Sequence, residues 1–285
     1  MTDVEVQDSK TSSESMPWAL EKLPPFPAVA MRLMSMLAHE DADVTAVARL
    51  IAAEPVFATR LLEMANSPLF ALARQVKTIS HAIVVVGLAR VKSITMTRAL
   101  GDFVAPALQE RALRACWQNS LAGALIAEKL ARAGRINPDV AYVAGLLRDI
   151  GRLALLVKYP ESYANLLAVT RENAFDLRAS ERDLFDVDHC EAGAWIMARM
   201  PFPPELAEVA RDHHEPVQGQ EFRLVHLVRV ADRLADALGF AVLTAANLPA
   251  LDEILNELPD RFRSAFQFDP EELKAEIESK LKSWA

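Results

Sequence analysis

One apolar stretch of the sequence carries charged residues that could take part in chemistry. It reads YVAGLLRDIGRLALL, residues 142–156, and places Asp149 directly after Arg148. A helix of this kind with a His-Asp pair would hold a divalent cation, because imidazole and carboxylate both bind such ions. A guanidinium stays protonated and does not bind metal. The stretch therefore belongs either to an enzyme with an unusual ligand set or to a protein that retains the fold around such a site and has lost its catalytic chemistry.

The sequence shows no other recognisable catalytic or metal-binding motif. The two cysteines, Cys116 and Cys190, stand in apolar surroundings without a metal-ligand spacing, which predicts buried free thiols. We find no Ser/His/Asp arrangement and no glycine-rich phosphate loop ending in Lys-Ser or Lys-Thr.

The charge balance argues against general nucleic-acid binding. The chain has 31 Lys+Arg against 39 Asp+Glu, and its net charge of -8 repels phosphate unless a local patch overrides it. Positive residues do bracket Gly87, namely Arg74, Lys77, Arg90, Lys92 and Arg98. A helix, a glycine turn and a helix would suit a helix-turn-helix, but the run AIVVVGL is too apolar to be exposed. We expect no nucleic-acid partner, and the same surface could instead receive an acidic protein.

The first 16 residues are polar and rich in Ser and Thr, which predicts a disordered tail over 1–16. They lack the basic and apolar regions of a signal peptide. The longest apolar run, residues 82–89, is about ten residues too short to span a membrane. We therefore expect a soluble cytoplasmic protein that does not act at a membrane.

Apolar residues recur at i, i+3 and i+4 along the rest of the chain, and most of the 16 prolines fall between such segments. This pattern predicts an almost entirely α-helical protein. Helices are expected to begin after the N-caps Asn137, Asp188 and Asp269, with Glu191 completing a capping box at Asp188. Gly87 and Gly134 stand where helices should end.

The helical segments divide into an N-terminal lobe, residues 17–108, a second lobe, residues 109–240, and a C-terminal extension, residues 241–285. The connector DFVAPALQER is too short to free two domains. The last segment, DPEELKAEIESKLKSWA, predicts an amphipathic helix with Leu273, Ile277 and Leu281 on one stripe. We expect this helix to dock onto the body, with a dimer contact as the alternative.

Seven stretches, taken together, resemble the HDOD family, the HD-related output domains of bacterial signalling proteins. In order they are LPPFPAVAMRLMSML, EPVFATRLLEMANSPLF, TISHAIVVVGLARVKSI, WQNSLAGALIAEKLA, AGLLRDIGRLAL, HCEAGAWIM and ARDHHEP, over about residues 20–235. Their order and spacing make the resemblance specific. It implies an all-α, multi-helix HDOD architecture, in which an N-terminal helical bundle lobe packs on a C-terminal HD-like helical lobe.

Several motif residues have structural roles that follow from their chemistry. The prolines Pro24, Pro25 and Pro27 fix the entry of a helix. Asn66 and Ser67 stand at a helix exit, where short polar side chains can satisfy loose backbone groups. We expect these residues, with Gly87, to shape the backbone rather than to contact a ligand.

Resemblance to the wider HD superfamily implies a site where metal-activated water attacks a phosphoester or phosphoanhydride. The positions it implies are, in chain order, Asn119, Arg148, Asp149, His189, His213 or His214, and Asp232. The first histidine position falls on Asn119, a poor metal ligand, and the His-Asp pair falls on Arg148 and Asp149. We therefore expect a degenerate, vestigial site with no catalytic residue, no metal and no cofactor.

Two orientations of Arg148 are open. An inward guanidinium could pair with Asp149, Asp232 or another carboxylate and occupy, electrostatically, the place of the ion. An outward one would lie in solvent beside Arg152. The three histidines are either structural or vestigial, or they retain some metal or phosphate binding.

The resemblance favours a non-catalytic bacterial signal-transduction module that acts through protein-protein interaction. Such domains often work beside receiver domains and cyclic-dinucleotide-turnover domains. Because this sequence shows neither of these domains, we expect signalling partners in trans. A homodimer is a further possibility. The alternative is a metal-dependent phosphohydrolase with an atypical ligand set, which would act on a nucleotide or cyclic dinucleotide and need Fe, Mn or Zn. A third hypothesis is a pocket that binds a nucleotide without hydrolysing it.

Overall fold

The computed structural model describes residues 17–21, 23, 25–26, 31–32, 44–67, 74–200, 202–216, 221–243 and 249–284. The predicted tail, residues 1–16, lies outside these ranges, as do Pro24 and Pro27. Pro25 lies in a coil segment. The described residues form helices and turns without a β-strand, so the predicted all-α fold class is confirmed.

The described residues form these α-helices in chain order. They are α1 (Val44–Ala52), α2 (Pro55–Ala65), α3 (Ile79–Val86), α4 (Leu88–Val104), α5 (Arg114–Gly134), α6 (Pro138–Leu147), α7 (Ile150–Lys158), α8 (Pro160–Asn173), α9 (Leu177–Phe185), α10 (His189–Met197), α11 (Pro204–Asp212), α12 (Leu224–Ala235), α13 (Leu251–Leu255), α14 (Asp260–Ala265) and α15 (Pro270–Trp284). Short 3-10 helices lie at Trp18–Leu20, Ala107–Gln109 and Arg111–Leu113, and a π-helical turn at Asp236–Phe240 extends α12.

The predicted helix starts are confirmed. The Asn137 side chain accepts hydrogen bonds from two backbone N–H groups at the start of α6. Asp188 and Glu191 form the predicted capping box at α10, and Asp269 Oδ1 accepts from the N–H of Glu272 at the start of α15. Each cap satisfies a backbone donor that the helix itself cannot.

Gly87 both ends α3 and begins α4, and its φ of 88° is a conformation that glycine adopts without strain. The two helices meet there at 107°. Ala82 and Ile83 are buried, but Val84 is 72% exposed, so the expectation that the whole AIVVVGL run is hidden was wrong. A short helix has more than one face, and Val84 lies on the outer one.

None of the described helices is, by itself, long and apolar enough to cross a membrane; only the bent pair α3 and α4 meets that test jointly, by length and composition.

Asn66 has the structural role predicted for it. It follows the last residue of α2, and its side chain donates to the carbonyls of Leu62 and Val76 and accepts from the N–H of Val76. The Ser67 N–H donates to the Met64 carbonyl. These bonds tie the end of α2 to the segment that leads into α3.

Two apolar cores lie beneath the helices, and α4 contributes to both. The smaller core includes Val47, Ile51 and Ile83 from α1 and α3, together with Val91 of α4. The larger core is built around α5 and takes in the distal half of α4, from Met96 onward. Because one helix joins the two cores, the lobe boundary near residue 108 stays a prediction.

The C-terminal helix docks onto the body, as predicted. Leu273 and Ile277 are buried in the larger core, and Leu281 packs against it. An ion pair of 2.6 Å between Lys129 and Glu276 joins α15 to α5.

Helix α5 positions the candidate site. It packs along α6 and α12, while α7 packs against α10, and α10 against α11. The α6–α7 turn, the start of α10 and the end of α11 therefore meet beside the middle of α5. Charged and imidazole side chains from all of these elements are collected there.

Candidate functional site

Arg148 and Asp149 form the turn between α6 and α7, and both point into the protein. Arg148 is 0% exposed and Asp149 is 1% exposed. The hypothesis that Arg148 faces solvent was wrong. The guanidinium lies against Gly123 of α5, where the missing side chain leaves room for it.

The Arg148 guanidinium is fully hydrogen-bonded. Its Nε donates to Asp232 Oδ1 at 2.9 Å. Its Nη1 donates to the carbonyls of Gly145 at 2.7 Å and Ser120 at 3.3 Å, and its Nη2 donates to the carbonyl and the side-chain oxygen of Asn119. These five bonds use the five N–H donors of an arginine. A charge held in this way is fixed in place, since any movement would leave buried donors unpaired.

Two carboxylates neutralise this buried charge. Arg148 Nη2 lies 2.7 Å from Asp232 Oδ1 and 3.3 Å from Asp149 Oδ2. Burial alone would lower the pKa of Arg148, but Asp232 and then Asp149 outweigh burial and raise it. The guanidinium is thus a permanent cation among Asn119, Asp149 and Asp232, three of the positions that the HD resemblance implies.

Asn119 is committed to hydrogen bonds as well. Its side-chain NH2 donates to Asp236 Oδ1 at 3.0 Å and to the Phe240 carbonyl at 3.1 Å, while its oxygen accepts from Arg148. The amide therefore joins α5 to the π-helical turn after α12.

His189 is oriented by two residues that the sequence did not single out. Glu181 of α9 is fully buried, and its Oε2 accepts from the backbone N–H of His189 at 2.9 Å and from Nδ1 at 2.6 Å. Its Oε1 accepts from the Tyr163 hydroxyl. Burial alone would raise the pKa of Glu181, but contact with His189 outweighs this and lowers it. His189 Nδ1 therefore carries a proton that it donates to Glu181, and Nε2 faces the site.

Arg152 lies on the other side of Asp149 and over His189. Its Nη1 is 3.1 Å from Asp149 Oδ1, and its Nη2 is 3.1 Å from His189 Nε2. Burial would raise the pKa of Asp149, but the charges of Arg152 and Arg148 hold it well below the usual range. Asp149 is therefore an ionised carboxylate between two guanidiniums.

His213 and His214 complete the cluster. His213 Nδ1 donates to the Val209 carbonyl at 3.1 Å, and its Nε2 lies 3.6 Å from Asp149 Oδ1. His214 Nε2 lies 3.0 Å from His189 Nε2. Burial, and then the neighbouring His213 and His189, lower the pKa of His214 well below its usual value, so this ring is neutral.

A cavity of about 340 Å³ opens above these residues. Its lining includes Asn119, Arg152, Asp176, Asp232 and Val242. Asp236, which also lines it, has its pKa raised to about 7 by burial and then by the negative charge of Asp232.

The donor chemistry divides the site into two halves with respect to a metal ion. The half made by Asn119, Arg148 and Asp232 does not fit a cation, because a guanidinium with every donor bonded already stands among its oxygens. The other half offers imidazoles from His189, His213 and His214 next to Asp149 and the thiol of Cys190. One ligand atom from each histidine and from Cys190 lies within 4.8 Å of the others. These donors are of the types that borderline divalent metals prefer, but the Arg152 guanidinium lies between Asp149 and His189.

The structure therefore brings together every position that the HD resemblance implies, from Asn119 to Asp232. Pro25, Asn66, Ser67 and Gly87 lie in other elements, and the structural role predicted for Pro25 stays a prediction. The predicted buried free thiols are confirmed for Cys116 and Cys190.

Sequence reasoning missed Gly123, Tyr163, Glu181 and Asp236, and placed Arg152 only as a solvent neighbour of Arg148. These residues come from separate helices and carry no shared spacing. Only the position of Glu181, one helix before His189, hinted at its role.

The described residues form an all-helical protein that gathers histidines and carboxylates at an Asp-bearing helix turn, the arrangement that the HD resemblance implies. The sequence model of the HDOD domain matches residues 23–216, more than half of the chain. The chain therefore belongs to the HDOD family. A relative from Treponema pallidum, described as an uncharacterized protein, is 24% identical over 225 residues, which cover 78% of this chain and 44% of the relative. The aligned part thus spans less than half of that relative's length.

Solved structures share the fold. An HDOD domain protein of unknown function from Geobacter sulfurreducens has a TM-score of 0.70 at 24% identity, covering 93% of this chain and 91% of its own. A candidate phosphohydrolase from Shewanella amazonensis has a TM-score of 0.62 at 21% identity, covering 92% and 94%. A candidate signal-transduction protein from Marinobacter aquaeolei has a TM-score of 0.62 at 21% identity, covering 93% of this chain and 58% of its own. At these identities the likeness shows the fold alone.

Proposed function

We propose that this chain is a non-catalytic bacterial signal-transduction module that acts through other signalling proteins in trans, with an HD site that has lost its phosphohydrolase chemistry. The observation that carries the proposal is the buried Arg148 guanidinium, bonded to Asn119 and Asp232 and in charge contact with Asp149. In an HD enzyme, the activated water needs a metal at the His-Asp position. Here a fixed organic cation takes that position, and it has no open coordination site for water.

Arg148 also supports a scaffold role. Its bonds reach α5, α6 and α12 at once, so one side chain ties three helices together where an enzyme would need access for substrate. A rigid body of this kind is suited to presenting a surface to a partner. Arg90 and Arg98 of the predicted positive surface are in ion pairs with Glu128 and Asp102, while Arg74 and Lys77 of the same surface are exposed.

The alternative, a phosphohydrolase with an atypical ligand set, has one observation in its favour. The half of the site with three histidines keeps metal-binding donors beside Asp149, under a cavity of about 340 Å³. A nucleotide bound there without turnover is the third candidate. Both are separable from the scaffold by direct assay.

The test is turnover and partner binding on the same purified protein. Nucleotides and cyclic dinucleotides are incubated with the chain and with Asp149→Asn, each supplied with Mn²⁺, Fe²⁺ or Zn²⁺. We expect equal background rates, while turnover that disappears in Asp149→Asn would establish the enzyme. Calorimetry against the same panel detects a nucleotide that is bound and not hydrolysed. Partners captured from the native cell are then purified and titrated against the chain, and failure of every purified candidate to bind would contradict the scaffold role.

A further inference from the structure

A second cavity, of about 470 Å³, lies where the two apolar cores meet. Ile51, Leu61 and Val91 of the smaller core line one part of it, and Leu125 and Tyr142 of the larger core line another. None of its described lining residues also lines the cavity of about 340 Å³ beside the histidines. The two cavities are therefore separate.

The lining of this second cavity is largely apolar. Phe57 packs against both cores, and Met64 of α2 and Ile94 of α4 are half-buried in the lining. Protein interiors are close-packed, so a gap between two cores leaves apolar side chains without neighbours. Small-molecule sites often lie between domains and have volumes of about 300–1,000 Å³. The cavity therefore suits a small molecule with an apolar body.

Basic side chains outnumber carboxylates in the same lining. The basic residues are Arg60, Arg90, Arg98 and Lys280, and the carboxylates are Glu63 and Glu128. This local excess of positive charge contrasts with the net charge of -8 of the whole chain. Arg98 and Lys280 have ion-pair partners outside the lining, Asp102 and Glu276. Arg60 and Arg90 are therefore the better candidates for holding an anionic group.

Arg60 and Arg90 are not committed to their carboxylates. Arg60 Nη1 lies 3.6 Å from Glu63 Oε2, and because both side chains are more than half exposed, this pair contributes little. Arg90 Nη1 donates to Glu128 Oε1 at 2.9 Å, but Arg132 Nη2 donates to the same oxygen at 2.6 Å. One buried carboxylate thus faces two guanidiniums. A guanidinium with free N–H donors binds a carboxylate or phosphate by two parallel hydrogen bonds.

We propose that this cavity binds a small organic acid with an apolar body. The acidic group pairs with Arg60 and Arg90, and the body packs on Phe57 and Ile94. Because the lining comes from α1, α2, α4, α5, α6 and α15, a bound molecule holds both cores and the C-terminal helix in one arrangement. The site gives the proposed signalling module a chemical input, and it does not depend on whether the histidine cluster has catalytic activity.

The test uses the full chain and two dyes of similar shape. Anilinonaphthalene sulfonate joins an aromatic body to an anionic group, and phenylnaphthylamine has the same body without the charge. Both dyes fluoresce more strongly in apolar surroundings, so a fluorescence titration measures their binding. We expect one sulfonate dye per chain, with the neutral dye bound on the order of tenfold more weakly. Equal affinities for the two dyes would overturn the anionic part of the inference.

The arginines are tested by substitutions that leave the apolar lining intact. Arg60→Gln and Arg90→Gln should each weaken the sulfonate dye by about threefold to tenfold and leave the neutral dye unchanged. Arg211→Gln is the matched control, because Arg211 pairs with Asp212 at 2.8 Å and does not line the cavity. It should bind both dyes like the unaltered chain. Sulfonate binding that is unchanged in both test variants would reject the two arginines as the contacts of the acidic group.

The location of the dye is tested by filling the cavity. Ile94→Trp and Met64→Trp fill it from two different helices and should weaken both dyes on the order of tenfold or more. Val169→Trp, at a position that is 49% exposed on α8, is the control and should change neither. Melting temperatures without dye show which variants are folded. Unchanged binding by a folded cavity variant would place the dye elsewhere and reject the site, and the arginine variants decide the matter if both tryptophans unfold the chain.

Displacement of the bound sulfonate dye then separates two kinds of apolar body. Decanoate offers an alkyl body and naphthoate an aromatic one, and the better competitor identifies the class of acid. Decanol and naphthalene are the matched neutral competitors and should displace the dye poorly. Failure of both acids to displace it would reject an organic acid as the ligand. Turnover of nucleotides, whether present or absent, leaves each of these results unchanged, so the site and the proposed function are tested independently.

Discussion

Gly123 leaves the space that the Arg148 guanidinium fills. A Cβ atom on Gly123 would lie 2.5 Å from Nη1 and 2.8 Å from Cζ of Arg148, closer than real Cβ atoms approach another group. The two residues lie on different elements, α5 and the α6–α7 turn. The inward position of the arginine therefore depends on a side chain being absent from a neighbouring helix.

Gly123→Ala should push the guanidinium out of its five hydrogen bonds. We expect a loss of about 1–3 kcal/mol in the free energy of unfolding, the usual cost of overpacking. The cost should shrink in an Arg148→Gln background, where the shorter side chain leaves room for the methyl group. Urea unfolding of the two single variants and the double variant measures this coupling.

Gly101→Ala is the matched control. Gly101 lies inside α4, and a Cβ there would meet Trp117 at 3.5 Å, an ordinary contact. Since alanine favours a helix over glycine by about 1 kcal/mol, this variant should be unchanged or more stable. Equal behaviour of the two alanine variants would show that the Arg148 pocket tolerates the extra atom.

Asp232 should matter to stability far more than a surface carboxylate at a similar ion-pair distance. Asp232→Asn keeps the shape but removes the negative charge that faces the buried Arg148, and breaking such a pair costs about 3–5 kcal/mol. Asp102→Asn breaks the 2.7 Å pair with Arg98, whose two side chains are 51% and 39% exposed, and should cost at most about 1 kcal/mol. Thermal and urea unfolding compare them. Similar small losses would mean that Asp149 alone suffices for Arg148.

Much of the fold could be predicted because its signals are local. The caps at Asn137 and Asp188 and the bend at Gly87 each depend on a few adjacent residues, and the structure has them where the sequence placed them. The exposure of Val84 was not predictable in this way. It depends on which face of a short helix the rest of the protein covers.

The site could be predicted only in part, for a related reason. The positions converge as the family resemblance implies, but the direction of Arg148 is decided by Gly123 on another helix. The pairing of Glu181 with Tyr163 and His189 joins three helices without a common spacing. Contacts of this kind follow from packing and cannot be obtained from sequence periodicity.

Glu181 should fix the tautomer of His189. Glu181→Gln replaces an acceptor by an amide that cannot accept from His189 N and Nδ1 and from Tyr163 in the same way. We expect a loss of about 2–3 kcal/mol in stability and a shift of the His189 proton away from Nδ1, visible in ¹⁵N NMR of the imidazole. Tyr163→Phe removes one bond to Glu181 and should cost less, about 1–2 kcal/mol, without changing the tautomer. A tautomer unchanged in Glu181→Gln would contradict this role.

Asp236 should make stability depend on pH near neutrality. Burial, and then Asp232, raise its pKa to about 7, whereas an aspartate in an unfolded chain titrates near about 3.9. The folded protein therefore binds this proton more tightly, so its contribution to stability is complete below about pH 4, falls as the pH rises and is lost above about pH 7. Asp236→Asn still accepts from Asn119 and does not ionise. In urea unfolding from about pH 5 to about pH 8, the free energy of unfolding of Asp236→Asn should rise relative to that of the unaltered chain up to about pH 7. Above about pH 7 the difference between the two should stay constant. Asp102→Asn measures the same difference for a surface carboxylate. A constant difference across that range would show that Asp236 does not titrate there.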